Sequence, residues 1–172
     1  CDTLGSADRI DVSMSFNFAI VGGGLTGTTM LYQIVEKLRQ NRDLIKLSPS
    51  GFKIQIFEKQ ATFGPGFPHS DRNVMPFHIT NMCAKDMGIL PDNPADFQEW
   101  VTGYQNDLKA LFPYMDDVSH SSGHCSHYPR AIMGAYLRQR FHEAYQNAQA
   151  LGLVVELYSQ SEFIDLEKMQ DK

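Results

Sequence analysis

Long apolar runs are missing from this sequence of 172 residues, and none approaches the roughly 18 to 20 residues that a membrane-spanning helix requires. Basic residues are too few for a polyanion-binding stripe: 15 stand against 20 acidic ones, for a formal charge of −5. Neither a nucleic-acid surface nor a membrane anchor is therefore expected. Cysteine is scarce as well. Cys1, Cys83 and Cys125 are scattered and form no C-x-x-C, which reads as reduced thiols of a cytoplasmic protein rather than a disulfide framework. G-x-S-x-G, H-E-x-x-H and a P-loop lysine are all absent, so hydrolase, metalloprotease and kinase chemistry have no carrier. Repeats and low-complexity tracts are missing too. The opening "CDTLGSADRIDVS" has neither the basic start nor the apolar middle of a signal peptide. Met14 then begins "MSFNFAIVGGG" like a natural start, so residues 1–13 are expected to be a leader or expression remnant and 14–172 the folded part.

What is present suits one domain, because an apolar content of 42% is enough for one sizeable core. Phe16 to Val21 is apolar nearly throughout, as in a central parallel strand covered on both faces. It runs into Gly22, Gly24 and Gly27, a G-x-G-x-x-G. From Leu25 to Arg39, the residues Leu25, Met30, Leu31, Ile34, Val35 and Leu38 recur at three- and four-residue steps and predict an amphipathic helix. A polar spacer with Pro49 and Gly51 leads to a second strand, Phe52 to Phe57, ending at Glu58. Strand, glycine turn, helix and strand make a βαβ unit, and the fold class is α/β with a parallel sheet of Rossmann type.

The glycines have distinct tasks in such a unit. Gly22 makes the turn, Gly24 lets a diphosphate approach the backbone, and Gly27 lets the helix pack closely on the strand. The first free amides of the helix, from Gly23 through Leu25 and Thr26, and the helix dipole favour the anion. Glu58 is placed to accept hydrogen bonds from both hydroxyls of an adenosine ribose, and its charge disfavours a 2′-phosphate. From Gly27 to Glu58 is 31 positions, longer than the roughly 20 usual for dinucleotide folds; the longer helix and the spacer absorb the difference. The spacing alone admits FAD or NAD.

Downstream, residues 59–82 carry Gly64, Pro65, Gly66, Pro68 and Pro76 and predict an irregular loop. Asn93 reads as a helix cap with Pro94 at the first helical position, followed by Phe97, Trp100, Val101 and Tyr104 on one side. A polar loop follows. A second long helix spans Arg130 to Ala150, with Met133, Leu137, Phe141, Ala144 and Ala148 on one face and Gly152 ending it. Leu153 to Tyr158 predicts a third strand, and Phe163 to Leu166 a fourth. His120, His124, Cys125 and His127 lie close in sequence but match no common metal spacing, so a solvated loop and no metal is the reading. Cys83 reads as structural, and His69 and His78 as hydrogen-bonded loop residues open to a proton-transfer role. No catalytic residue is assigned.

The stretches "VGGGLTG", "FEK", "GPGFPHS", "NMCAKDMGILPDNPADFQEWV" and "YPRAIMGAYLRQRF", in this order, resemble a bacterial group of FAD/NAD(P)-binding proteins related to flavin-containing and amine N-hydroxylating monooxygenases. The resemblance implies FAD as cofactor, with its diphosphate at Gly22 to Gly27 and its ribose at Glu58 and Lys59. Arg130 would sit near the ribityl and diphosphate, the backbone around Glu162 and Phe163 would border adenine, and Gly64 to His69 and Thr80 to Met82 would pass near the flavin. Relatives continue with further strands and a second glycine-rich segment for NAD(P)H, so the chain is expected to be the N-terminal portion of a flavin-dependent oxidoreductase. A non-catalytic FAD-binding module and an NAD-dependent dehydrogenase are the alternatives. The small-molecule substrate and the oligomeric state are not specified.

Overall fold

The computed structural model describes residues 16–46 and 51–168; the readings at Cys1, Met14 and Pro49 lie outside these. β1 (Phe16–Val21) pairs in parallel with β2 (Phe52–Glu58), and β2 with β5 (Val154–Ser159), in the order β1-β2-β5. α1 (Leu25–Gln40) and the short α2 (Arg42–Lys46) link β1 to β2, and α7 (Arg130–Ala150) leads into β5. This βαβαβ arrangement is the Rossmann-type parallel sheet that the glycine turn predicted.

Strand periodicity divides β2 cleanly. Phe52, Ile54, Ile56 and Glu58 are buried, while Lys53, Gln55 and Phe57 on the other face are half-exposed. The buried face packs on Leu31, Val35 and Leu38 of α1 and on Phe141, Ala144 and Ala148 of α7. On the other face Lys53 pairs with Glu156 at 2.8 Å, and Phe57 stacks on Tyr158.

β1 is not the central strand. It forms the margin of the sheet, while β2 has the two neighbours; Asn17, Ala19 and Val21 are exposed on the face that no described helix covers, and Phe18 is exposed on the other. Leu25 and Met30 of α1 are exposed as well, so the helix buries a narrower stripe than its apolar pattern suggested. Phe16, Phe18, Met30, Ile34 and Leu90 line a groove of about 1010 Å³ along that margin.

A second core lies against the first half of α7. α4 (Asp96–Gly103), α5 (Gln105–Leu111) and α6 (Met115–Val118) bring Phe97, Trp100, Val101, Leu108 and Met115 against Ile132, Met133, Tyr136 and Leu137. The apolar face of α7 therefore serves two cores in succession along its length, Met133 and Leu137 in its first half and Phe141, Ala144 and Ala148 in its second. Asp96 is buried at this junction. Its carboxylate accepts hydrogen bonds from Arg140 Nε at 2.9 Å, from Arg140 Nη2 and from the Tyr136 hydroxyl, which itself accepts the Ile89 N–H at 2.9 Å. Burial, then the bond to Asp96, holds the Tyr136 phenol well above its ordinary pKa.

Several expected elements differ. α4 starts at Asp96, because Asn93 is spent on a preceding turn: its Oδ1 accepts the Ala95 N–H and its carbonyl the Asp96 N–H, both at 3.1 Å. The polar segment after α5 contains α6 and a hairpin, β3 (His120–Ser122) and β4 (Cys125–His127), turning at Gly123 with φ +58°. Phe163 to Leu166 form no strand; Phe163 instead meets Phe57 edge-on. Gly152 ends α7 with φ +79°, as read. Cys83 and Cys125 are not reduced thiols but a disulfide, closed because the hairpin folds back onto the 3-10 turn Ala84–Asp86.

Candidate functional site

The carboxyl ends of β1 and β2 meet at the glycine turn. Gly22 has φ +93° and donates its N–H to the Phe57 carbonyl at 2.8 Å, which ties the turn to the neighbouring strand. Gly24 is the N-cap of α1 and brings no side chain to it, and the first turn of α1 holds no acidic residue. α4, by contrast, places Asp96 and Glu99 in its first turn. The amides and positive end of a 16-residue helix are thus left for another anion. A Cβ on Gly27 would run into the Gly22 carbonyl, so that position admits glycine alone.

Glu58 is buried at the mouth of this turn. Its Oε2 accepts the Gly23 N–H and its Oε1 the Gln60 N–H, each at 2.7 Å. A carboxylate has about four lone-pair sites, so two hydrogen bonds leave acceptor capacity for a further donor. The Glu58 side chain therefore does double duty in geometry: it braces the glycine turn and keeps an acceptor beside it.

The loop after β2 closes over the same region. Gly64 (φ +103°) crosses the backbone of α7 so closely that a Cβ would lie 2.6 Å from the Arg138 Cα, and its N–H bonds the Gly23 carbonyl at 2.7 Å. α3 (Gly66–His69) sits between the two long helices, with Gly66 against Gly24 at one end and the His69 carbonyl against Gly134 at the other. No Cβ fits at Gly134. Arg130 opens α7 one turn earlier; its Nε donates to the Ile79 carbonyl at 3.1 Å, and among the described residues no carboxylate pairs with it.

His69 is half-buried beside this guanidinium. Burial first, then the Arg130 charge, lower its pKa from the ordinary 6.5, while the nearby Pro65 carbonyl opposes weakly. The unfolded chain then binds more protons near that pH. The stability His69 contributes is complete above 6.5 and is lost as pH falls through its lower folded value. Between about pH 7 and 5 the urea midpoint of the wild type should fall more steeply than that of His69→Asn. Parallel slopes in the two proteins would refute this.

The fold thus gathers Gly22, Gly23, Gly24, Leu25, Thr26, Gly27 and Glu58 around the carboxyl ends of β1 and β2, while Arg130 opens α7 beside Ile79 and His69. Lys59 and Phe163 lie farther out: Lys59 Nζ pairs with Glu162 at 2.6 Å, and Phe163 is 41% exposed. The contact roles of Gly64 and Gly66 have one signal in the sequence, the G-P-G spacing, and Gly134 lies inside a helix where spacing gives none. The Asp96, Tyr136 and Arg140 network had none. Cys83 also joins Cys125 and His127 from far along the chain, with their ligand-type atoms within 4.8 Å, while His120 and His124 stay outside this group. His78 hydrogen-bonds locally, its Nδ1 accepting the Met75 N–H at 3.2 Å. No described helix is long and apolar enough to cross a membrane.

YdhS of Escherichia coli K12, an uncharacterized protein, is 24% identical over 149 residues, which is 87% of this chain and 25% of YdhS. The chain therefore spans about a quarter of that relative's length. The crystal structure of Thermovibrio ammonificans THI4 aligns with 83% of this chain and 37% of its own, at 17% identity and a TM-score of 0.36. The profile of the FAD-NAD(P)-binding family matches residues 19–172, from the first strand through the glycine turn, Glu58 and α7. On that match, the chain belongs to the FAD-NAD(P)-binding family.

Proposed function

We propose that the chain is the FAD-binding, N-terminal part of a flavin-dependent oxidoreductase, with residues 14–172 as that part. One observation carries the reading: an uncapped, acid-free helix start facing a buried carboxylate. The amides of Leu25, Thr26 and Gly27 hold the diphosphate, Gly24 permits its approach, and Glu58 accepts the ribose hydroxyls with its remaining lone pairs. Arg130, lacking a carboxylate partner among the described residues, supplies the countercharge from the opposite helix. Lys59 and Phe163 border the adenosine.

Bound flavin would supply the hydride and electron chemistry. The protein's own residues position it and exclude water, which is why no nucleophile or acid pair is required of this chain. Hydride from NAD(P)H, and oxygen activation as a monooxygenase, belong to the finer proposal and draw on a region outside this sequence, in a cytoplasmic protein.

Calorimetric titration of the full chain separately with FAD and with NAD tests the cofactor assignment. FAD should bind at least about tenfold more tightly than NAD, a difference of about 1.4 kcal/mol. Glu58→Ala should weaken FAD binding and, by leaving the Gly23 N–H unsatisfied, lower stability by about 1–3 kcal/mol. Tighter binding of NAD, or no binding of FAD, would replace this reading with a dehydrogenase or a non-binding module.

A further inference from the structure

Away from the glycine turn, the disulfide between Cys83 and Cys125 carries an imidazole on one of its sulfurs. Cys125 Sγ lies 3.1 Å from His127 Nε2, whereas His127 Nδ1 lies 3.0 Å from the Thr80 carbonyl oxygen. A carbonyl only accepts, so Nδ1 carries a proton, and Nε2 is the ring atom turned toward Cys125. Cys83, Cys125 and His127 are all half-buried, within reach of small solutes. A disulfide serving only as a staple has no use for a base held on one sulfur and oriented by a backbone carbonyl.

We propose that Cys83 and Cys125 form a reversible thiol–disulfide exchange site, with Cys125 as the leaving thiolate and His127 as its proton partner. A thiolate of a dithiol reductant attacks Cys83 Sγ. The Cys83–Cys125 bond breaks, its electron pair passes to Cys125 Sγ, and Cys83 is joined to the reductant as a mixed disulfide. His127 Nε2, having taken up the proton that the reductant's thiol released on becoming the thiolate, passes it to the departing Cys125 sulfur. The reductant's second thiolate then displaces Cys83, leaving two protein thiols and one oxidised dithiol. The electrons come from that reductant alone. The assignment is independent of the cofactor.

The site also has a place in the fold that gives exchange a consequence. Cys83 precedes the 3-10 turn Ala84–Asp86 and Cys125 starts β4, so the bond ties the segment after Thr80 to the hairpin leading into Arg130. Thr80 and Tyr128 exchange backbone contact beside it, the Thr80 N–H bonding the Tyr128 carbonyl at 2.9 Å.

Thiol labelling and peptide mapping of the full chain test the site, with dithiothreitol and glutathione as probes. After treatment with oxidised glutathione, Cys83 and Cys125 should be found linked. In the course of reduction by glutathione the trapped adduct should map to Cys83 and not to Cys125. His127→Asn keeps a donor for the Thr80 carbonyl but removes the Nε2 acceptor, and should slow reduction by dithiothreitol about tenfold or more. In the Cys83→Ser background, His127→Asn should likewise slow alkylation of Cys125. Two free thiols after oxidation, an adduct on Cys125, or equal rates with and without His127 would overturn the proposal; the adduct position needs no variant and decides the matter even if His127→Asn fails to fold.

Discussion

Gly24→Val should lower FAD affinity by at least about a hundredfold, or about 2.8 kcal/mol, while leaving the fold in place. A Cβ at Gly24 would lie 3.2 Å from the Gly66 Cα, a contact that requires α3 to give by only a few tenths of an ångström, and φ at this residue is −78°, which any residue adopts. The added methyl groups occupy the path a diphosphate takes to the α1 amides. Gly27→Val provides the contrast. Its Cβ would enter the Gly22 carbonyl, backbone against backbone, with no flexible side chain to move. That variant should lose about 3 kcal/mol or more of stability. Denaturant unfolding together with FAD titration separates the two. Wild-type affinity in Gly24→Val would mean that the glycines serve the turn alone, and wild-type stability in Gly27→Val would refute the packing role.

The second large effect belongs to the junction of the two cores. Asp96→Ala should destabilise the protein by about 3–5 kcal/mol, because it leaves the Arg140 guanidinium and the Tyr136 hydroxyl without their buried acceptor. Arg140 retains Glu143 at 2.6 Å, which caps the loss. Asp96→Asn should cost less, about 1–2 kcal/mol, since an amide oxygen still accepts. In a double-mutant cycle, Asp96→Ala with Arg140→Met should fall well short of the sum of the single losses. Additive losses would show that the pair does not act as a unit.

Which parts of this architecture can be read from sequence follows from the range of the interactions involved. α1, α7 and β2 rest on local periodicity and terminal signals, and their boundaries fall within a residue or two of the pattern. Glu58 is legible as an acid ending a strand; its bond to the Gly23 amide, 35 positions away, is not. β1 has the apolar composition of a central strand and yet lies at the margin, because a strand's burial is decided by what packs on it and not by its own composition. Asn93 makes a turn and not the helix cap its pattern suggests, because the same residue type does both. The disulfide closes over 42 positions, and Asp96 meets Tyr136 and Arg140 across 40 and 44, distances at which spacing carries no signal.

The margin position of β1 has a further consequence through chirality. Crossovers between parallel strands are right-handed in about 98% of cases, so successive steps in one direction across a sheet place their helices on the same side. α1 and α7 accordingly cover one side as the sheet steps from β1 to β5. A parallel strand added beyond β1 from the β5 end would reverse the direction of travel, and its connection would cross the opposite side, over Ala19, Gln55, Phe57 and Tyr158. Those residues are therefore where handedness alone would seat a second helical layer.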